Sequence, residues 1–316
     1  MTVCQLYAKQ IRHRGNVRYN TKNGRKRLMK LLEEDKLGGC PIDSVKLSDA
    51  KEWAIRMKEK GISYKTISND KRSLKAAFYT AIQDDCIRKK PFDFQLNTVI
   101  EDDTEPKVPL TPAQEESFLS FAQNDKVYQK YYDELIILLG TGFRISELCG
   151  LTDTDIDFEN RIINVDHQLL RSAETGYYIE TPKTKSGIRQ IPMSEKVYEA
   201  FNRVLKRSRG AKAVTIDGYS NFLFLNRDGY PKTATNYDGM FRGHAKKYNK
   251  YHEEALPKVM TPHTLRHTFC TNMANAGMNP KALQYITGHS NITMTLNYYA
   301  HATFDSAKAE MLRIAA

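Results

Sequence analysis

Between residues 97 and 110 the chain loses both its helical period and its apolar content. Asn97 to Leu110 is acidic, contains Pro106 and Pro109, and reads as an interdomain linker. A stretch of that kind obliges the apolar residues to collect in two separate cores, one over 1–96 and one starting at 111. With 316 residues and 41% hydrophobic composition, there is material for both.

Over 1–96 the apolar positions recur at helical spacing. Val3 to Ile11, then Leu28, Leu31 and Leu32, then Trp53, Ile55 and Met57, and finally Ile67, Leu74, Ala77, Phe78 and Ala81 predict a four-helix domain. The second stripe stops at Gly38-Gly39. The third follows a Ser48 cap and ends near Gly61, and the fourth is preceded by Ser63 and Lys65.

Charge narrows the class of partner. The formal net charge is +11, with a pI near 9.2, which implies a polyanion. From Met1 to Leu32 there are nine Lys or Arg and no acid. Lys9, Arg12, Arg14, Arg18, Lys22, Arg25, Lys26 and Arg27 are therefore candidate DNA contacts, a solvated basic face being the plainer alternative. No signal peptide and no apolar run long enough for a bilayer can be seen, so a membrane is not an expected partner. Cys4, Cys40, Cys86, Cys149 and Cys270 are scattered without metal-binding or disulfide spacing, which suits a reducing cytoplasm. Glu101 to Asp103 and Asp153 to Asp157 read as a solvated linker and turn rather than a metal site.

From 111 the pattern becomes mixed. Thr111-Pro112-Ala-Gln114 is a capping box opening a helix, and the following body is mainly helical. Strand-like runs at Arg161–Val165, Tyr177–Thr181 and Ile188–Ile191 predict a small antiparallel sheet, so the class is α+β. The last two runs flank Lys183-Thr-Lys185-Ser-Gly, placing a flexible ammonium at an expected hairpin tip.

Four short segments carry chemistry. An apolar run, Leu135–Leu139, ends at a glycine turn, and Arg144 follows where a short helix should start. In Thr261-Pro-His-Thr-Leu-Arg-His, Thr261 is a plausible N-cap and Pro262 suits the first helical position, so His263 and Arg266 project from one face at a helix start. Gly288-His289 and Tyr298-Tyr299-Ala-His301 follow. Each alone has an ordinary reading; Arg144, for instance, could simply pair with Glu147 at i,i+3. Together they offer guanidinium forks that match phosphate geometry, imidazoles that move protons, and a phenol that cationic neighbours can activate.

Arg144, His263, Arg266, His289 and a terminal tyrosine, in this order and local setting, resemble the tyrosine recombinase (phage integrase) family. The likeness is greatest to the integrases of conjugative transposons, which end in blocks similar to Gly288-His-Ser-Asn-Ile-Thr-Met-Thr-Leu-Asn-Tyr-Tyr-Ala-His301. It spans about residues 105 to 305, with a looser match before that. The resemblance implies a helical core-binding domain over 1–96 on the opposite side of the DNA from a catalytic domain over 111–302, and a C-terminal helix over 303–316 that docks on a neighbouring protomer. It implies two arginines on the scissile phosphate, supporting hydrogen bonds from His263 and His289, and a catalytic lysine. Lys185, just before Ser-Gly, fits that position better than Lys183, whose alternative role is to grip DNA backbone.

The implied function is site-specific recombination that excises and integrates a mobile element through a 3′-phosphotyrosyl bond, without metal or other cofactor. Expected partners are duplex recombination sites, further copies of the chain (dimer to tetramer) and DNA-bending accessory proteins. Of the two adjacent tyrosines, Tyr299 is the expected nucleophile because Tyr299-Ala-His301 matches the conjugative-transposon ending; Tyr298, nine residues after His289, is the alternative. Two other functions share these features: a type IB topoisomerase, and a catalytically idle DNA-binding protein on the same fold.

Overall fold

The computed structural model describes residues 1–15, 17–105, 108–208, 214–252, 254–299 and 311. The chain divides into two compact units, Met1–Pro106 and Lys107–Ala316. The stretch expected as linker is partly claimed by both: Ile100 is buried in the first core and Leu110 in the second. The expected helix over 303–316 lies outside the described residues, apart from Met311.

The first unit is helical. It runs α1 (Val3–His13), α2 (Tyr19–Glu33), the single turn α3 (Lys36–Gly39), α4 (Leu47–Glu59) and α5 (Tyr64–Gln83). Its core gathers Leu28, Leu32, Trp53, Leu74, Phe78 and Phe92, with the Phe92 ring 5.9 Å from Trp53 and 5.3 Å from Phe78. Two local expectations are corrected. Ser48 lies inside α4, whose start is closed two residues earlier by the Asp49 carboxylate accepting from the Lys46 backbone N–H at 2.8 Å. Gly38-Gly39 does not stop α2 but sits in α3, because Asp35 accepts from the Leu37 backbone N–H and opens a new turn first.

The second unit opens with α6 (Pro112–Asn124), whose capping box is formed by Thr111 and Gln114, then α7 (Tyr132–Thr141) and α8 (Ile145–Gly150). Helix α7 buries Leu135, Ile137, Leu138 and Leu139 around most of its circumference, because it packs on two other helices at once. Those are α9 (Glu195–Ser208) and α11 (Pro262–Asn275). On α9 the stripe Val197, Ala200, Phe201 and Val204 faces this core. The remaining helices are α10 (Ala234–Tyr251), α12 (Pro280–Thr287) and α13 (Ile292–Leu296).

The strands are β1 (Ile156–Asp157), β2 (Ile162–Val165), β3 (Gln168–Ser172), β4 (Gly176–Glu180) and β5 (Arg189–Pro192). They do not make the single sheet expected. One sheet has the order β1-β2-β5, with Ile163 opposite Ile191 and Val165 opposite Arg189. The other is a hairpin, β3-β4, with Leu169 opposite Ile179. The expected pairing of the Tyr177 and Ile188 runs is therefore incorrect. Gly176, at φ 71°, closes a tight turn that returns β4 onto β3, and β5 is left to pair with β2. The fold is α+β and mainly helical.

Candidate active site

Two helix ends build the cationic centre. Helix α7 finishes at Gly142, in the left-handed region at φ 64°, where a β-carbon would lie 2.4 Å from the Phe269 ring. Two residues later Arg144 caps α8: its backbone N–H donates to Glu147 Oε2 at 2.9 Å and its Nη1 to Glu147 Oε1 at 2.7 Å. The i,i+3 pair with Glu147 and membership of the site are thus both met. Its Nη2 reaches on to the Gly288 carbonyl at 2.9 Å.

Helix α12 ends at Gly288, also left-handed at φ 64°. A β-carbon there would sit 2.9 Å from the Ser186 carbonyl and 3.1 Å from Arg189 Nη1, so the approach needs glycine. Arg266, on the first turns of α11, is 4% exposed; it donates from Nη1 to the Gly142 carbonyl and from Nη2 to the Thr287 carbonyl, both at 2.6 Å. The two arginines are therefore fixed by backbone oxygens at glycine-capped helix ends. Burial, then the neighbouring Arg144 charge, pushes Arg266 down to about 10, which leaves it protonated at neutral pH.

His289 is buried, and its Nδ1 lies 3.0 Å from Thr295 Oγ1. Burial first, then Arg266, Arg144, Arg189 and His263, pushes its pKa down to about 4, so the ring is neutral. Either partner of that contact can donate; the tautomer with its proton on Nε2 is the one in which the Thr295 hydroxyl donates to Nδ1. His263 is exposed at the start of α11, close enough for its charge to bear on His289.

Behind these residues is one that the sequence reading missed. Arg189 has a fully buried side chain; it donates from Nη1 and Nη2 to Glu147 at 3.0 and 2.9 Å, from Nε to the Ile286 carbonyl at 2.6 Å, and from Nη1 to the Gly187 carbonyl at 2.9 Å. Burial alone would raise the Glu147 carboxyl, but the Arg189 hydrogen bonds and charge, followed by Arg144 and Arg266, hold it below its ordinary value. A signal was available: strand alternation puts Arg189 on the same face as buried Ile191.

Lys185 and Lys183 are exposed on the connection from β4 to β5, which crosses between sheets rather than forming a hairpin tip. Lys185 opens a single 3-10 turn, Lys185–Gly187, and the Ser186 carbonyl within it abuts Gly288. The lysine turn is thereby brought beside the segment carrying His289.

The two tyrosines diverge. Tyr298 packs its ring edge-on to His267 at 4.9 Å and parallel to His289 at 6.4 Å. Tyr299 turns the other way and donates its hydroxyl to the Met278 carbonyl at 2.5 Å. Both residues follow α13 in a turn, where neighbours point in different directions; the expected nucleophile Tyr299 points to Met278, and the direction toward His289 belongs to Tyr298.

In the first unit the basic positions are unequal. Arg12, Arg14, Lys22 and Lys26 are exposed, and Arg18 and Arg25 half-buried. Lys9 is paired with Asp84 at 2.8 Å, and Arg27 Nη2 donates to both carboxylate oxygens of the buried Asp70, at 2.5 and 2.7 Å. Lys22, Arg25, Lys26, Met29, Lys30 and Glu33 of α2 line one cleft. The acidic turn after α8 is also less solvated than expected: Asp155 is buried, accepting from the Thr152 N–H and hydroxyl at 2.7 Å. It lies beside Asp166 and His167, whose ring nitrogens are already engaged by Asp166 and the Gly150 carbonyl.

Residues 109–306 match the phage integrase family. The chain belongs to the phage integrase family. This integrase is 68% identical over 314 residues to the transposase from transposon Tn916 of Enterococcus faecalis, across 99% of this chain and 77% of that protein. It is 26% identical over 269 residues to tyrosine recombinase XerC of Bacillus pumilus, across 84% of this chain and 80% of that protein. Among solved structures it is similar to the Tn1549 transposon integrase in complex with a circular intermediate DNA, at TM-score 0.95 and 76% identity over 99% of both chains. It is also similar to that integrase with transposon right end DNA, at TM-score 0.94 and 76% identity over 100% of both. An arginine is replaced by lysine in the first and a tyrosine by phenylalanine in the second. The lambda integrase dimer on a core site shares the fold, with TM-score 0.64 at 16% identity over 94% of this chain and 93% of that one. This integrase is thus a tyrosine recombinase, an enzyme of DNA strand cleavage and rejoining. Among the described residues no helix is long and apolar enough to cross a membrane.

Proposed function

We propose that this integrase excises and integrates a mobile DNA element, with Tyr298 as the nucleophile. The observation that carries the reading is the convergence of Arg144 and Arg266, each pinned by backbone carbonyls, on the site that the Tyr298 ring borders. The transposon relatives support it. Aligned end to end with the Tn1549 chains, the positions substituted there fall on Arg144 and Tyr298.

In this reading the two guanidinium groups hold the non-bridging oxygens of one phosphodiester and stabilise the charge that grows on them. His289 donates from Nε2 to one of those oxygens, and His263, exposed at the helix start, hydrogen-bonds another or takes the phenol proton. The Tyr298 oxygen attacks phosphorus and forms the phosphotyrosyl bond. The bond to the 5′-oxygen breaks, and Lys185 delivers the proton that the departing oxygen needs. Because one ester replaces another, the bond energy is kept and rejoining needs no nucleotide. The charge stabilisation comes from side chains of this chain, which is why no cofactor enters the proposed step.

The basic residues of α1 and α2 grip DNA backbone in this reading, and further copies of the chain assemble on paired sites. The five unpaired cysteines support a cytoplasmic setting. The test is to incubate the protein with a nicked duplex that carries an element end and to look for a denaturant-stable protein–DNA adduct followed by strand exchange. Relaxation of supercoils without exchange would transfer the chemistry to a topoisomerase, and absence of any adduct would reduce the protein to a DNA-binding one.

A further inference from the structure

His167 ties the helix that starts at Arg144 to the strands behind it, and both of its ring nitrogens face acceptors. The residue sits between β2 and β3 and is 3% exposed. Its Nε2 lies 2.8 Å from the carbonyl of Gly150, the last residue of α8, and its Nδ1 lies 2.6 Å from Asp166 Oδ1. A backbone carbonyl only accepts, so Nε2 carries a proton. The carboxylate of the exposed Asp166 only accepts as well, so Nδ1 carries another. A neutral imidazole has one N–H to give, and these two contacts need two. The surroundings suit the cation: Asp155 Oδ2 is 3.8 Å from Nε2, and the Tyr219 ring covers one face with its centroid at 4.2 Å.

We propose that His167 is a positioning residue that works as an imidazolium: with a proton on each ring nitrogen it clasps the end of α8 to the connection between β2 and β3, and so steadies Arg144 at the other end of that helix. The proposal rests on the reading of Arg144 as a phosphate-binding residue. Helix α8 is six residues long, about 9 Å, so a displacement of Gly150 is carried to its N-cap. Its end lies against β3 so closely that a β-carbon on Gly150 would be 3.0 Å from the Leu169 backbone nitrogen, and Ser146 donates to Gln168 Oε1 at 3.0 Å. The titratable groups facing the ring are Asp155 from the turn after α8, Asp166 from the end of β2 and Tyr219 from the segment that covers it. Burial raises the Asp155 carboxyl, while the Thr152 hydrogen bonds and the His167 charge lower it. The clasp is complete while the ring holds two protons. As pH rises and one leaves, either the Gly150 carbonyl or the Asp166 carboxylate loses its donor and faces a lone pair instead.

The experiment reads the His167 ring nitrogens by NMR in protein labelled with heavy nitrogen at histidine, and follows single-turnover cleavage of a nicked suicide duplex over the same pH series. Near neutrality both nitrogens should carry protons. As pH rises and one proton leaves, cleavage should fall by roughly tenfold over the same interval. His167→Gln, which offers only a neutral donor, should show the reduced rate already near neutrality. His167→Arg, which keeps its charge and several donors at every pH, should lose the alkaline fall. Should neither variant fold, the wild-type protein still decides, since its ring titration must coincide with the fall in cleavage. A single protonated nitrogen near neutrality overturns the proposal, as does a ring titration with no matching change in cleavage, or a wild-type pH–rate profile in His167→Gln. If instead Arg144→Lys cleaves at a near-normal rate, the reading of Arg144 fails, and with it the link from His167 to the reaction, even where the ring is found to hold two protons.

Discussion

Arg189 and Glu147 form a two-point ion pair with side chains 0% and 2% exposed, and this pair stands directly behind Arg144. Three separate stretches meet there: the lysine turn through the Gly187 carbonyl, the end of α12 through the Ile286 carbonyl, and α8 through Glu147 itself. The pair therefore fixes the register of the active-site segments against one another.

Removing Arg189 takes two hydrogen bonds and the more buried of two counter-charges from Glu147, leaving it Arg144 alone. Arg189→Met should destabilise the catalytic unit by about 3–5 kcal/mol. Adding Glu147→Gln should cost less than the sum of the two single changes, because each single change already breaks the interaction between them. Denaturant unfolding of the three variants measures both statements; additive losses would show that the pair is not coupled.

Arg144→Lys and Arg266→Lys keep the positive charge but lose the planar fork. DNA affinity should stay within a few-fold of wild type while single-turnover cleavage falls by about 10²–10³. Binding titrations and adduct formation on the same duplex separate the two effects, and near-normal cleavage in either variant removes that arginine from the phosphate.

Much of this site was legible in the sequence because its parts are local. The Thr111 capping box, the Thr261-Pro262 helix start and the glycine after the apolar run of α7 are each decided within a few residues, and they carry Arg144, His263 and Arg266 to their places. What was misread depends on distant partners. Strand β4 was paired with β5 because the two flank a turn-like segment, whereas β3 offers it a closer hairpin. Arg189 was passed over because its counter-charge, Glu147, lies 42 residues away. The Tyr299-Ala-His301 ending favours Tyr299 over Tyr298, whereas the direction of the chain after α13 turns Tyr298 toward His289 and Tyr299 toward Met278.

Acid should weaken the fold through two buried histidines. His244 is fully buried among Phe118, Phe121, Tyr128 and Tyr248, and burial pushes its pKa down to about 4; His289 is pushed to about the same value, by burial and then Arg266. Both bind a proton more readily in the unfolded chain, near the ordinary value of about 6.5, than in the folded one. Stability is then complete above about pH 6.5 and declines as pH falls toward 4. His244→Phe should remove on the order of 2–3 kcal/mol of that decline. Unfolding free energies at pH 7.5 and about pH 4.5 decide the point; equal acid sensitivity in the variant would refute it.

Affinity for DNA should fall steeply with salt, since the lysines and arginines of the first unit displace counterions from the backbone. Strand cleavage should persist in EDTA, because the charge on phosphorus is met by Arg144, Arg266 and Lys185. A flat salt response, or cleavage that stops when divalent cations are chelated, would contradict these two statements respectively.

The most direct measurement sets Tyr298→Phe beside Tyr299→Phe on a nicked suicide duplex, with the covalent adduct resolved on a denaturing gel. Tyr298→Phe should form no adduct, having lost only the oxygen that attacks, while Tyr299→Phe, whose hydroxyl is engaged by the Met278 carbonyl, should form it at a rate within a few-fold of wild type. An adduct formed by Tyr298→Phe and abolished in Tyr299→Phe would contradict the account and move the nucleophile to the neighbouring residue.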